Sequence, residues 1–482
     1  MAKIYRVFTL ADDPNFNYSD ISLSGTRTAI LPQDLSDDYN DNEVFYANLS
    51  ETIQLTDNFT EEFSPLVLPD EVVWSGTVGG RTTEIFTYDG ENISSTDAGE
   101  DFLYRDLQGD GESILYVEEN LPNRSFRVVF VNSNDESVEL PITGDPQMDF
   151  DFIDIGSDKA VWSQSIEGED GITNSEIFLY NGTETVRLTN DVGDNVEPKV
   201  AGDFVVWTRL GNDSDVFLYD GETTTQITDN DINDEGVVVS DTGVVAWTNQ
   251  EGVFAYQNGN TTKIFNREAA DDSIQLDAGN NDIFIRSDLG LYSYDGENLN
   301  NIVNQSPANF DVSGENIAWN DSGDAAYLAI PYAPNTVFRF LNSDTGVHFY
   351  TPNIEEANNV RDNLENYTFE GGSYVGIDPL TGQPEPSSVY RFLNRDTGVH
   401  LYTISEAERS AVQELDNYSF EGESFLAYET EVDGSIPVYR FLNYTTDAHF
   451  YTSSVAERDN LEANLPDYQS EGIAYYVLPS EI

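Results

Sequence analysis

The sequence predicts a mainly β protein in two repeat-built parts: a β-propeller of seven or eight blades, then a small α+β domain of three hairpin-helix-strand units. Three observations carry this expectation. A short apolar phrase ending in tryptophan recurs about every forty residues through the first two thirds of the chain. Asp-Gly and Asn-Gly turn dipeptides follow most of its copies. A different phrase, present three times, fills the last third.

The tryptophan phrase comes first. All five tryptophans lie in it, at Glu71-Val72-Val73-Trp74, Lys159-Ala160-Val161-Trp162, Phe204-Val205-Val206-Trp207, Val244-Val245-Ala246-Trp247 and Asn316-Ile317-Ala318-Trp319. Ile30, Tyr116 and Phe284 take the tryptophan slot in three further copies, and successive slots lie 35 to 46 residues apart. A second strand then ends in a turn, as in Glu84-Ile85-Phe86-Thr87-Tyr88-Asp89-Gly90 and Val216-Phe217-Leu218-Tyr219-Asp220-Gly221. Such dipeptides supply the positive φ angles of tight hairpins. A Thr-rich strand follows, for example Thr224-Thr225-Gln226-Ile227-Thr228. Forty residues and four short strands are the size of a propeller blade.

Eight inner-strand phrases point to eight blades, with seven the alternative. The last unit stops short, while Lys3-Ile4-Tyr5-Arg6-Val7-Phe8 has no unit of its own. The N-terminal strand is therefore expected to complete the last blade, which removes two exposed edges. The wording of Leu188-Thr189, then Glu197-Pro198, then Val205-Val206-Trp207 resembles the TolB-type propeller repeats of bacterial envelope proteins. That resemblance spans about residues 1–330 and implies a propeller fold, although those relatives usually have six blades.

Residues 331–336, with Pro331 and Pro334, read as a linker to a second domain at 337–482. Its units are expected at 337–388, 389–437 and 438–482. Each opens on Phe338-Arg339-Phe340, Tyr390-Arg391-Phe392 or Tyr439-Arg440-Phe441. Each continues through His348-Phe349-Tyr350-Thr351, His400-Leu401-Tyr402-Thr403 or His449-Phe450-Tyr451-Thr452. Polar stretches with helical spacing follow, over 354–365, 405–415 and 454–465, with Ser or Asn placed to cap them. A strand led by Glu370-Gly371, Glu421-Gly422 or Glu471-Gly472 closes each unit. A unit this small cannot bury its own apolar face, so the three are expected to pack together, most simply about a pseudo-threefold axis in a trefoil-like manner. The pattern resembles a tandem repeat of unknown function at the ends of secreted bacterial proteins, often beside cell-wall hydrolases. That resemblance implies attachment to a surface.

Composition narrows the partners. Asp plus Glu number 89 against 21 Lys plus Arg, a formal net charge of −68. A field this negative excludes nucleic acid and anionic membranes as partners. It suits high salt, where the Debye length falls to about 3 Å at 1 M. There is no cysteine, so disulfide and thiolate chemistry are excluded. No apolar run reaches transmembrane length, and Met1-Ala2-Lys3-Ile4-Tyr5-Arg6 opens into a strand without a signal core. An exported form would need a leader already removed, or a leaderless route.

Few residues could carry chemistry. The only histidines are His348, His400 and His449, one per unit, which is a zinc-ligand count if they converge. The competing reading gives each the same structural slot, with Arg339, Arg391 and Arg440 bonded to Glu370, Glu421 and Glu471. Calcium is the one candidate cofactor: Asp229, Asp231 and Asn233 offer oxygens at alternate positions of one loop, and Asp106 and Asp110 of another. The first of these loops lacks the EF-hand glycine at its sixth position and has Ser240 in place of the closing glutamate. No nucleophile elbow, phosphate-cradling glycine loop or His-Glu-x-x-His is present.

The function expected from these features is a non-catalytic binding or adhesion protein of the cell exterior, recognising polysaccharide, cell wall or a surface protein. Tyr350, Tyr402, Tyr451 and the three arginines are its candidate contacts, since aromatic rings stack on sugar faces. Two alternatives stand beside it: a carboxylate-based hydrolase or lyase in the propeller channel, and a structural part of an extracellular assembly.

Overall fold

The computed structural model describes residues 3–35, 42–58, 60–78, 82–96, 102–110, 113–142, 153–167, 173–267, 269, 272–321, 325–378 and 384–480. The chain divides into two compact units. One is Val7–Ile330, and the other joins Ala2–Arg6 to Pro331–Ile482.

The first unit is a β-propeller built from four-stranded antiparallel sheets, eight of them among the described residues. Their first strands follow one another around a central channel. Phe16–Ser24, the first strand of the first sheet, lies between Glu62–Val67 of the second and Asn309–Ser313 of the last. Hydrogen bonds join neighbouring first strands. Val67 N–H donates to Ser22 Oγ at 3.2 Å. At the seam between the first and last sheets, Leu23 N–H donates to Asp311 Oδ2 at 2.7 Å. The last sheet runs Tyr5–Asp12, Ala325–Pro331, Asn316–Asn320, Asn309–Ser313, so the N-terminal strand completes it as expected.

Four tryptophans, Trp74, Trp162, Trp207 and Trp247, pack their sheets against the preceding ones. Trp74, Trp162, Trp207 and Trp247 are buried to 2% exposure or less. Each stacks on an aromatic of the next strand, as Trp207 does on Phe217 at 5.8 Å and 12°. In the seventh sheet the slot falls one residue later than the sequence reading placed it. Phe284 pairs with Asp277 as Ala318 pairs with Asp311, which puts Ile285, not Phe284, in the tryptophan position. Two adjacent apolar residues, Phe284 and Ile285, hid the shift.

The second unit contains three three-stranded sheets of one topology. In each, the first strand is central: Thr336–Asn342, Ser387–Asn394 and Ile436–Asn443. The helices are Ile354–Asn363, Glu406–Gln413 and Val455–Asn464. Asn353, Ser405 and Ser454 cap them by accepting from the N–H of Glu356, Glu408 and Glu457. The Glu-Gly leads are β-bulges. Glu370, Glu421 and Glu471 are the extra residues, and Gly371, Gly422 and Gly472 take φ of +96°, +111° and +89°, which favours glycine.

The expected linker is not a free tether: Pro331 ends one strand, Thr336 begins the next, and both belong to the second unit. That unit also takes Ile4 into its core with Phe338 and Phe340.

Candidate functional site

The channel of the propeller encloses about 1000 Å³ and is lined from all eight first strands or the turns after them. Register explains who points there. On every first strand, one residue pairs with the residue just before the tryptophan slot. Four of these are charged: Asp154, Lys199, Asp277 and Asp311, opposite Val161, Val206, Phe284 and Ala318. The other four are Ser22, Leu66, Gln108 and Val238. One side of the ring is thus charged and the other is close to neutral.

Within the charged side, only one pair is compensated. Lys199 Nζ donates to Asp154 Oδ1 at 2.9 Å, and Val200 N–H donates to Asp154 Oδ2 at 2.8 Å. The Asp154 carboxylate pushes the Lys199 ammonium up. Asp277 and Asp311 have no cation in ion-pair reach among the described residues. Burial pushes the Asp277 carboxyl up to about 6, opposed by the Ala278 N–H and then by Lys199. Burial pushes Asp311 up to about 8, and the Asp277 charge adds to it. Asp311 thus holds its proton more tightly than Asp277. These two residues were not singled out from sequence. A signal existed: seven of the eight ring positions lie eight residues before the tryptophan slot, and Val238 lies nine before, after an inserted residue.

The second domain brings the repeated residues together in another way. Tyr350, Tyr402 and Tyr451 lie at its centre, 0 to 1% exposed, with ring centroids 5.6 to 5.8 Å apart. Their hydroxyls form a cycle. Tyr350 donates to the Tyr451 carbonyl at 2.8 Å, Tyr451 to that of Tyr402 at 2.8 Å, and Tyr402 to that of Tyr350. Burial pushes all three phenols up. The structure therefore places these rings in the core and away from any sugar-contacting surface. Tyr in place of Phe at these positions serves the hydroxyl cycle.

The arginines close a second cycle. Arg339 contacts Glu457 of the third unit, Arg391 contacts Glu356 of the first, and Arg440 contacts Glu408 of the second, at 2.7 to 2.9 Å. The Nε of each binds Glu370, Glu421 or Glu471 of its own unit at 2.7 to 2.8 Å. His348, His400 and His449 Nε2 sit 3.2 to 3.3 Å from the same glutamates. Burial alone would lower the guanidinium pKa, yet the glutamates push each one up. Burial pulls His400 and His449 down. Each histidine thus occupies the slot beside its own Glu. Among the described residues no three His, Asp or Glu side chains are placed to hold a metal ion.

The acidic loops are locked by their own hydrogen bonds. Asp229, Asp231 and Asn233 are exposed, and Asn233 Oδ1 accepts from Ser214 N–H at 3.2 Å. Their neighbour Asp234 is buried, accepting from Trp247 Nε1 at 3.0 Å and Asn249 Nδ2 at 2.9 Å. Asp110 accepts from the N–H groups of Ser113 and Ser157 at 2.6 and 3.0 Å. The Asp106 side chain lies outside the described residues. This geometry gives the calcium reading no support.

Residues 308–478, roughly a third of the chain, match the family model described as "Domain of unknown function (DUF5648)". No curated protein matches the chain. Among solved structures, the β-propeller domain of the Trilobed protease from Pyrococcus furiosus is similar at 14% identity, over 58% of this chain and 96% of that one, with a TM-score of 0.41. An acylaminoacyl peptidase of Pyrococcus horikoshii is similar at 15% identity over 61% of this chain, with a TM-score of 0.39. The match spans about half of that peptidase, 54% of its length. An uncharacterized protein of Listeria monocytogenes EGD-e gives 10% identity, 62% and 98% coverage and a TM-score of 0.39. Similarities this low bear on neither activity nor partners.

Proposed function

We propose that the chain is a non-catalytic binding protein of the cell exterior, whose eight sheets are the blades of one closed propeller. Its ligand site is the propeller channel, and its ligand is a hydroxyl-rich polymer, a polysaccharide or cell-wall strand. The observation that carries this reading is the channel itself: about 1000 Å³ of space into which carboxyl, amide and hydroxyl groups converge, including Asp277, Asn280, Asp311 and Ser313. A protonated carboxyl both donates and accepts, and a carboxylate accepts, so Asp311 and Asp277 together fit a ligand bearing hydroxyl groups. The second domain serves attachment in this reading. Its support is its resemblance to repeats at the ends of secreted bacterial proteins.

A specific observation favours one further reading. Two carboxyls on adjacent strands with pKa values driven apart are the arrangement of an acid and a base, so Asp311 and Asp277 would serve a hydrolase or lyase acting in the channel. One experiment separates the two. The purified chain is sedimented with insoluble polysaccharides and peptidoglycan, and the supernatant is assayed for released sugar. Retention without release, weakened by Asp311→Asn, supports binding. Release abolished by Asp311→Asn supports catalysis. Absence of both overturns the channel as a site for such polymers.

A further inference from the structure

The three units of the second domain share their inner contacts, but the outer face of the first differs. Phe338, Tyr390 and Tyr439 occupy the same register position, opposite Gly372, Glu423 and Ile473 respectively. The helix residue after Glu356, Glu408 or Glu457 is Ala357, Arg409 or Arg458. In the second and third units that arginine covers the ring, 4.2 Å above Tyr390 and 4.7 Å above Tyr439.

In the first unit the space is filled from elsewhere in the chain. Tyr332 meets Phe338 edge-on at 5.4 Å and 86°. Ile4, 2% exposed, is buried in one cluster with Phe338, Phe340 and Ala357. Tyr332 N–H donates to the Ile4 carbonyl at 2.9 Å. The seat has no room for what the other units carry: a Cβ on Gly372 would lie 2.7 Å from Thr336 Cγ2 and 2.9 Å from a Tyr332 ring carbon. Three positions thus depart together from the other two units, and all three departures serve the same incoming residues.

Ile4 immediately precedes Tyr5–Asp12, the outermost strand of the last propeller sheet. A strand paired on one side only is the easiest of its sheet to lose, and its loss bares a sheet edge. We infer that the outer face of the first unit is a receptor for the chain's own N-terminal strand, and that by seating Ile4 and Tyr332 it latches the propeller ring. Ala357 and Gly372 create the seat. Without them the face would be covered by its own arginine.

The test converts the first unit to the second: Ala357→Arg with Gly372→Glu in the full chain. All five tryptophans lie in the propeller, so their fluorescence reports its melting alone, while amide exchange over residues 336–477 follows the second domain. The latch predicts amide exchange at residues 7–12 faster by about tenfold or more and a tryptophan-reported melting temperature lower by several degrees. Tyr332→Ala and Ile4→Ala, which only empty the seat, must shift both readouts the same way and decide the matter should the double variant fail to fold. Arg409→Ala with Glu423→Gly in the second unit must shift neither. Wild-type exchange and melting in Tyr332→Ala and Ile4→Ala would overturn the latch.

Discussion

Arg339 reaches from the first unit of the second domain to Glu457 on the helix of the third, with both terminal nitrogens bonded to both carboxylate oxygens at 2.9 and 3.0 Å. The bond closes a cycle of three, because Arg391 and Arg440 repeat it one unit on. Replacing Glu457 by Gln leaves the guanidinium, only 17% exposed, short of one carboxylate. The expected loss is about 2 kcal/mol, between the values for exposed and buried pairs. Native-state amide exchange over residues 336–477 measures it. A loss below about 0.5 kcal/mol would show that the cycle is not a main support of the domain.

The tyrosine cycle supports the same domain from inside. Tyr402→Phe keeps the ring and removes the hydroxyl that donates to the Tyr350 carbonyl. A buried acceptor loses its donor, so a cost of about 1–2 kcal/mol is expected. Larger effects are expected for Tyr350→Phe and Tyr451→Phe, whose hydroxyls also accept from the N–H of Tyr451 at 3.1 Å and of Tyr402 at 3.0 Å; losses below about 0.5 kcal/mol for all three would show that the cycle is not a support.

Much of this was legible in the sequence, for physical reasons. The tryptophan phrase and the Asp-Gly turns report local requirements, slab-filling side chains and positive φ, which a chain cannot meet otherwise. The Arg, His and Glu of each unit recur because each unit makes the same contacts. The roles that failed to show are those fixed by register and burial. Tyr350, Tyr402 and Tyr451 read equally well as surface or core from spacing alone, and only the pairing of strands turns them inward. Asp277 and Asp311 disappear among 89 acidic residues until pairing puts them on the channel ring. Ile4 and Tyr332 meet across more than three hundred residues, beyond any local pattern.

The two domains should respond oppositely to pH. Burial and its neighbouring charge hold Asp277 and Asp311 above the ordinary aspartate value, so the folded propeller binds protons more tightly than the unfolded chain. Its stability therefore falls as pH rises from about 4 to 8, by at most about 1.4 kcal/mol per unit for each group. In the second domain, burial alone would raise Glu356, Glu408 and Glu457, but their arginine bonds hold them low; the His348 bond lowers Glu370. That domain keeps its stability above the usual glutamate range and loses it as pH falls below. Tryptophan fluorescence for the propeller and amide exchange over residues 336–477 for the second domain, recorded at several pH values, separate the two trends.

Asp234 carries a structural load inside an acidic loop. It accepts from the indole of Trp247 and from Asn249, both buried. Asp234→Ala orphans these two buried donors and also frees Asn230 Nδ2, and is expected to cost about 2–4 kcal/mol, read as a lower tryptophan-reported melting temperature. Asp231→Ala, at an exposed position of the same loop, is expected to change it by less than about 0.5 kcal/mol.

The most direct test of the proposed function is sedimentation with insoluble polysaccharides and peptidoglycan, wild type beside Asp311→Asn and Asp277→Asn. Retention of the wild type on one polymer, reduced about tenfold in affinity by either channel variant and without release of sugar, is the expected result. Retention that both variants leave unchanged would place the binding site outside the channel, and the central claim would fail.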